Sequence, residues 1–416
     1  MDSTNQPNHE IKFPCDGIKF PGDGIKFPGD GIKFPGDGIK FPGDGIKFPI
    51  QMYDPTRDFK AHESEYRAAI DSVLTVGNYI GGKQVGELET QLGLYTGAPH
   101  VITCANGTDA IFIALLGLGI GPGDEVLTVA HTWISTAETI AMTGAKPVWI
   151  DIDPNTFCMD PSAIESKITP QTKAILPVSL YGLVPDLELI ETIAKKYGLA
   201  VIEDGAQSFG AKRDGWTSCS CTWSDIATTS FFPTKPLGCY GDGGAVFVRD
   251  GELAKKIRAI KSHGGLERFV HKYIGMNSRL DTIQAGVLQV KMGLIDQVLD
   301  SRRACAQIYT KGLEGIEGLV LPQVPSNSTH VWAQYSILAL NKICRDSIVA
   351  GLKAGGVNVA IFYPVPLSVQ ECFSGIDSSG LNFTTSVCDR IFNLPCYGEI
   401  TLKEQQYIIN LIKTLV

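Results

Sequence analysis

The sequence predicts an α/β protein: a large domain built on a mostly parallel sheet, followed by a small α+β domain. Two observations carry this expectation. Between residues 100 and 202, short apolar runs alternate with amphipathic stretches, and such alternation implies right-handed crossovers and a sheet covered on both faces. After about residue 316, the text changes to a shorter mixture of strand and helix candidates. The composition agrees, because 44% hydrophobic residues in a chain of 416 supply a substantial core, enough for two or three domains.

The elements follow in order. Residues 57–75 read as a helix ended by Gly77, and residues 84–96 as a second, with Leu88, Leu92 and Tyr95 at helical spacing. Strands are expected at 100–104, 125–129, 147–150, 174–178 and 200–202. Helices at 108–118, 135–142 and 187–197 lie between them, the first closed by Gly119, Gly121, Pro122 and Gly123. Residues 226–248 read as strand, Gly-rich turn, strand, and residues 280–313 as one long helix. A strand near 333–339, a helix near 345–354 and a last helix at 402–415 complete the small domain. The expected division is a tail at 1–45, a large domain at 46–315 and a small domain at 316–416.

The tail is a repeat. Residues 11–45 are five copies of a seven-residue unit, IKFPCDG once and IKFPGDG four times, and a sixth IKFP at 46–49 runs into the body. Pro in every unit excludes a coiled coil, and a flexible, solvated tail is the expectation. It is either a binding tail that presents spaced Phe residues or a slippage expansion of the segment that begins the folded domain. The near-identity of the copies favours expansion.

Charge and cysteine content narrow the function. Thirty-six Lys and Arg against 44 Asp and Glu give a net charge of -8, so no broad basic field exists for nucleic acid or an anionic membrane. Any phosphate must be gripped locally. No apolar run approaches the ~20 residues of a membrane span, and no basic start leads into an apolar stretch as in a secretion signal. Eleven scattered cysteines suggest reduced thiols in a cytoplasmic protein. Cys219 and Cys221 have no second pair at zinc-site spacing, so no metal is expected.

Four loops, each after a strand candidate, hold the candidate chemistry, because ligands of such sheets sit at the carboxyl ends of the strands. In Ala105-Asn106-Gly107-Thr108-Asp109, a Gly and a Thr open a helix and offer N–H groups and a hydroxyl to a phosphate. Small polar residues cap most helices, so this alone is a weak signal. Glu203-Asp204 ends a strand, either as a helix cap or as a carboxylate that meets a protonated ring nitrogen. In Ser230-Phe231-Phe232-Pro233-Thr234-Lys235-Pro236, Lys235 is either a snorkelling surface lysine or a partly desolvated, nucleophilic amine. Gly241-Asp242-Gly243-Gly244 is a tight turn. A lysine for a Schiff base, a carboxylate 31 residues before it and a phosphate-holding helix start make up the parts of a pyridoxal phosphate site. Trp133, in His131-Thr132-Trp133, adds an aromatic face for the ring.

Nine motifs in order carry a resemblance: GNYIGGKQVGELE, CANGTDAI, GPGDEVLT, HTWISTAET, GAKPVWIDIDP, TKAILPVSLYG, VIEDGAQSFGA, SFFPTKPLGCYGDGGA and GMNSRLDTIQAG. From roughly Ile46 onward the chain resembles the DegT-type sugar aminotransferases, pyridoxal phosphate enzymes of the aspartate aminotransferase fold (fold type I). Within them it is most similar to bacterial enzymes acting on 3-oxo nucleotide sugars, including a UDP-linked 3-oxo-glucuronate. The resemblance implies that Lys235 carries the cofactor and shuttles the proton, and that Asp204 pairs with the pyridine nitrogen. It implies Gln207 beside the ring, Trp133 stacked on it, and Gly107, Thr108 and Ser230 on the phosphate. Asn277 would reach the phosphate from a neighbouring subunit, so a homodimer is implied. Arg279 and Tyr363 would face the sugar. The substrates implied are glutamate and a nucleotide-linked keto-sugar.

One departure concerns the small domain, where the family often has His-Tyr-Pro. Here Phe362 precedes Tyr363 and Pro364. That removes a polar partner for an acidic sugar and keeps a neutral 3-oxo or 4-oxo deoxy-sugar open as the substrate. A sugar dehydratase of the same family has His at the lysine position, and Lys235 speaks against it. A non-catalytic regulatory descendant is opposed by the intact Asp204, Gln207, Ser230 and Lys235.

Overall fold

A computed structural model describes residues 46–416; the repeat tail expected at residues 1–45 lies outside the described residues. The described chain starts in the C-terminal unit. Ile50 pairs in parallel with Val357 and is buried in the core of that unit, with Ile46, Phe48 and Tyr53 packed beside it. Next comes α1 (Pro55–Ala61), whose first turn is capped by the Asp54 side chain accepting from Thr56 N. Helix α2 (Glu63–Val76) ends at Gly77 in the left-handed region. The single helix expected over 57–75 is therefore two, broken at His62, where φ is -131°. Helix α3 (Lys83–Thr96) buries Leu88 and Leu92, as their spacing predicts.

The sheet follows: β1 (His100–Cys104), α4 (Gly107–Leu118), β2 (Glu125–Val129), α5 (Ser135–Met142), β3 (Lys146–Ile150), β4 (Thr172–Leu176), α6 (Leu187–Tyr197) and β5 (Ala200–Asp204). A ribbon of β6 (Lys212–Arg213) and β7 (Trp216–Thr217) leads to β8 (Ile226–Ser230), β9 (Gly244–Val248) and α7 (Gly251–Ile260). Seven strands form one sheet in the order β1-β9-β8-β5-β4-β2-β3. β2, β3, β4, β5 and β8 run parallel. β9 is antiparallel to both β8 and β1, so β1 shares the common direction. Alternate residues feed two cores: Leu127 and Val129 enter one layer and Val126 the other. The carboxyl ends of β1, β2, β4, β5 and β8 thus open on one edge, and the loops singled out in the sequence all leave from it.

Helix α8 (Thr282–Leu313) has 32 residues and is roughly 48 Å long at 1.5 Å per residue. Its first half buries Ala285 and Leu288 in the large core, and its second half buries Cys305, Tyr309 and Leu313 in the small one. The remainder is β10 (Leu319–Val320), β11 (Ser328–Thr329), β12 (Tyr335–Ala339), α9 (Lys342–Ala354), α10 (Asn382–Arg390), β13 (Ile391–Leu394) and α11 (Leu402–Leu415). β10, β12 and β13 form an antiparallel sheet. Helix α11 opens with a capping box between Thr401 and Glu404. Among the described residues, no helix is long and apolar enough to cross a membrane.

Candidate active site at the sheet edge

The loop after β1 makes a cradle. Asn106 caps α4 by accepting from Asp109 N at 2.8 Å, while the N–H groups of Gly107 and Thr108 have no partner among the described residues. A Cβ on Gly107 would lie 2.7 Å from the Ser230 Cβ, so only glycine lets the end of β8 approach this closely. Ser230 Oγ and Thr108 Oγ1 therefore flank a helix N-terminus, an arrangement suited to a phosphate. Thr108 Oγ1 is tied to Ser135 Oγ at 2.7 Å.

Asp204 closes β5 and is 6% exposed. Its Oδ2 accepts from Thr136 Oγ1 at 2.8 Å and its Oδ1 from Ala206 N at 3.2 Å. Burial raises its pKa above the usual carboxylate value, against the pull of these hydrogen bonds and of Lys235. Such a carboxylate is incomplete without a cation. Lys235 lies in the loop after β8, its backbone N donating to Phe232 O at 2.9 Å. Burial lowers the pKa of its amine, and the Asp204 charge acts the other way. The amine thus has the partly desolvated setting of a nucleophile.

The neighbouring acid is separately occupied. Glu203 accepts from Ser179 Oγ at 2.8 Å, Ser218 Oγ at 2.6 Å and Cys219 N at 2.9 Å. It is a satisfied buried carboxylate, which leaves Asp204 as the acid that faces Lys235. The helix-cap reading of this pair finds no helix: a turn follows β5, and Asp204 accepts from Ala206 N within it.

Gln207 Oε1 accepts from Tyr181 N at 2.8 Å, and its Nε2 donates to Tyr363 Oη at 3.3 Å. The two bonds settle which way the amide points. Trp133, 58% exposed, has its ring 6.2 Å from that of Tyr363. Phe362 packs against the large core. The structure thus gathers Gly107, Thr108, Trp133, Asp204, Gln207, Ser230, Lys235 and Tyr363 along one edge. Asn277 and Arg279 are different: both are exposed and flank the buried Ser278. Ser278 Oγ donates to Asp109 Oδ2 at 2.6 Å and accepts from Ala105 N at 3.1 Å, which fixes this segment beside the cradle with Asn277 and Arg279 turned outward. Thr136, Ser135 and Ser278 are site residues that the sequence pattern did not reveal. Among the described residues, no cluster of potential ligands for a metal is present.

The profile of the DegT/DnrJ/EryC1/StrS aminotransferase family matches residues 60–413. This chain belongs to that family. It is 47% identical over 330 residues to a UDP-2-acetamido-2-deoxy-3-oxo-D-glucuronate aminotransferase of Pseudomonas aeruginosa, covering 79% of this chain and 90% of the relative. A UDP-N-acetyl-3-dehydro-alpha-D-glucosamine 3-aminotransferase of Acidithiobacillus ferrooxidans is 39% identical, with 85% of this chain and 94% of the relative covered. The crystal structure of S. venezuelae DesV in complex with a ketimine intermediate superposes with a TM-score of 0.84 at 33% identity, over 88% of this chain and 97% of that one. Bacillus subtilis NtdA with bound cofactor PMP superposes with a TM-score of 0.79 at 32% identity, over 85% and 82%.

The site of this DegT-family aminotransferase fits pyridoxal phosphate on its own geometry. The cradle at Gly107 is one that a Cβ would fill, Asp204 is a buried acid in want of a cation, and Lys235 is a desolvated amine facing it. Gly107→Ala is expected to force Ser230 away at a cost of about 1–3 kcal/mol. Cofactor Kd should rise by roughly tenfold or more, measured by absorbance titration of the cofactor-free protein. An unchanged Kd would mean that the cradle is not where the phosphate binds.

Proposed function

We propose that this chain is a pyridoxal-phosphate-dependent aminotransferase that moves an amino group from glutamate to the C3 keto group of a nucleotide-linked sugar. The observation that carries the reading is a buried Asp204 and a desolvated Lys235, each feeling the other's charge, on the sheet edge that carries the Gly107 cradle. Two relatives named for their 3-oxo sugar substrates support the carbon chosen.

When bound, the cofactor supplies an electron sink for the carbon bearing the nitrogen. The chain supplies the rest. Gly107, Thr108 and Ser230 would hold the phosphate through N–H groups and hydroxyls. Asp204, kept in place by Thr136, would keep a proton at the ring nitrogen. Trp133 and Gln207 would hold the ring. Lys235 Nζ anchors the cofactor and moves a proton to or from the reacting carbon of each substrate. Nitrogen and electrons balance, since glutamate leaves as 2-oxoglutarate and the keto-sugar leaves as an amino-sugar.

Tyr363 and Arg279 face the sugar nucleotide in this reading. Asn277 and Arg279 act in the site of a second copy, which accounts for their exposure in one protomer and makes the working unit a homodimer. A cytoplasmic location fits as well, because no disulfide joins the described cysteines.

The test is a panel of UDP- and dTDP-linked 3-oxo and 4-oxo sugars with glutamate, products identified by mass spectrometry. Amination of 3-oxo sugars alone is expected. Preference for a 4-oxo-6-deoxy sugar would overturn the choice of C3, and loss of a hydroxyl without gain of nitrogen would mark a dehydratase. The same panel reads the effect of Phe362, through the rates with a C6 carboxylate and with a neutral C6.

A further inference from the structure

The mechanism leaves two buried histidines, His131 and His330, without a task, and His131 lies beside the site. His131 directly precedes Thr132 and Trp133 in the loop after β2 and is fully buried. It touches both domains. Its Nδ1 is 3.2 Å from Cys388 Sγ on α10 of the small domain, and its Nε2 is 2.8 Å from Tyr181 Oη in the loop after β4. The Tyr181 hydroxyl in turn donates to the carbonyl of Phe362, the residue before Tyr363. The His131 ring also meets the Tyr363 ring edge to face at 6.1 Å.

The direction of every proton in this chain follows. Burial holds His131 neutral, its pKa lowered to about 3, so the ring has a single N–H. Tyr181 has one proton, and it goes to the Phe362 carbonyl. His131 Nε2 must therefore be the donor to Tyr181. Nδ1 is then an acceptor, and among the described residues the Cys388 thiol supplies its proton. The result is one directed sequence: Cys388 S–H to His131, His131 N–H to Tyr181, Tyr181 O–H to Phe362 C=O. From the other side, Asn393 Oδ1 accepts from Phe362 N at 2.9 Å, so both faces of this peptide are held.

We propose that His131 is a positioning residue for the sugar half of the reaction, joining the two domains through Cys388 and Tyr181 so that Tyr363 is held at the substrate side of the site. This rests on the reading of Tyr363 as a sugar contact. The same Tyr181 also donates its backbone N–H to Gln207, which donates to Tyr363. Tyr181 is thus the branch point that sets Tyr363 both through its peptide neighbour and through its hydroxyl.

The experiment compares the two half-reactions in the holoenzyme for His131→Phe, Tyr181→Phe, the double variant and His131→Gln. The single variants should raise KM for the keto-sugar by about tenfold or more. Cofactor loading and the glutamate half-reaction should stay near wild type. The double variant should be no worse than the worse single, because both act through one chain. His131→Gln, which keeps a donor toward Tyr181, should recover part of the loss. In 15N-histidine-labelled protein, His131 should show a protonated Nε2 and an unprotonated Nδ1, and this readout does not depend on turnover. Equal losses in both half-reactions, additive losses in the double variant, or the opposite tautomer would overturn the proposal. A wild-type protein inactive in both half-reactions would instead refute the aminotransferase reading and leave the tautomer test standing.

Discussion

Lys235→Ala is expected to lower kcat for transamination by on the order of 10³-fold or more, the scale of a positioned acid–base group combined with loss of the covalent anchor. Borohydride, which should fix the cofactor onto the wild-type chain, should fix none at this position. Two other lysines near the site are already engaged: Lys261 Nζ donates to Thr103 O at 2.7 Å, and Lys291 is held elsewhere. Lys291 lines a cavity of about 30 Å3 together with Lys235, but it is paired with Asp58 at 3.1 Å and lies against the rings of Tyr66 and Tyr240. The cradle and Asp204 remain in the variant, so non-covalent cofactor binding should persist, weaker but measurable. Retained turnover, or borohydride labelling of a different lysine, would move the chemistry elsewhere.

Asp204→Asn should separate function from stability. Asparagine keeps the shape, its Oδ1 accepting from Ala206 N and its Nδ2 donating to Thr136 Oγ1, but it cannot hold a proton at the ring nitrogen as an anion does. A fall in kcat of roughly 10²–10⁴-fold is expected. In the cofactor-free protein the effect on stability should have the opposite sign. The folded-state pKa of Asp204 is raised above 3.8 by burial, so the native state binds the proton more tightly than the unfolded chain. The stability this confers is present below 3.8 and is lost as pH rises through the folded pKa. At neutral pH the cofactor-free Asp204→Asn protein should therefore melt at or above the wild-type temperature, and the difference should shrink as the pH falls toward 3.8. Adding cofactor should reverse the order, because binding stabilises only the chain that holds it well. Thermal melts of both proteins, with and without cofactor, decide the matter. A variant that melts lower without cofactor yet turns over normally would contradict the role assigned to Asp204.

Much of this architecture is legible in the residues, for a physical reason. Strands such as His100–Cys104 and Glu125–Val129 are buried apolar runs, with glycine or small polar residues at their ends, and the crossovers through α4, α5 and α6 are long enough to show a helical period. The break at His62 has no such mark, since neither Gly nor Pro stands there and the pattern continues across it. Helix α10 is short and polar on its open face, so it escaped the pattern, along with β13 behind it. The proposed pair, Asp204 and Lys235, is readable because a lysine between prolines and an acid at a strand end are costly placements that need a purpose. Thr136 was not, since a threonine in the first turn of a helix has many ordinary uses; its signal was only its place three residues beyond Trp133, on the helix that opens from the same edge. The Cys388–His131–Tyr181 contacts join residues up to 257 positions apart, and no local pattern reports that. The exposure of Asn277 and Arg279 likewise became visible only when Ser278 was seen to fix the segment between them.

If the proposed function holds, one site first takes nitrogen from glutamate and then gives it to a sugar. The most direct test is a single-turnover reaction of the holoenzyme with glutamate alone. One 2-oxoglutarate should be released per bound cofactor with no sugar present, the yellow colour should fade, and later addition of a UDP-linked 3-oxo sugar should restore the colour as the amino-sugar forms. Release of 2-oxoglutarate only after the keto-sugar is added, or no release at all, would contradict transamination by one site in two successive halves.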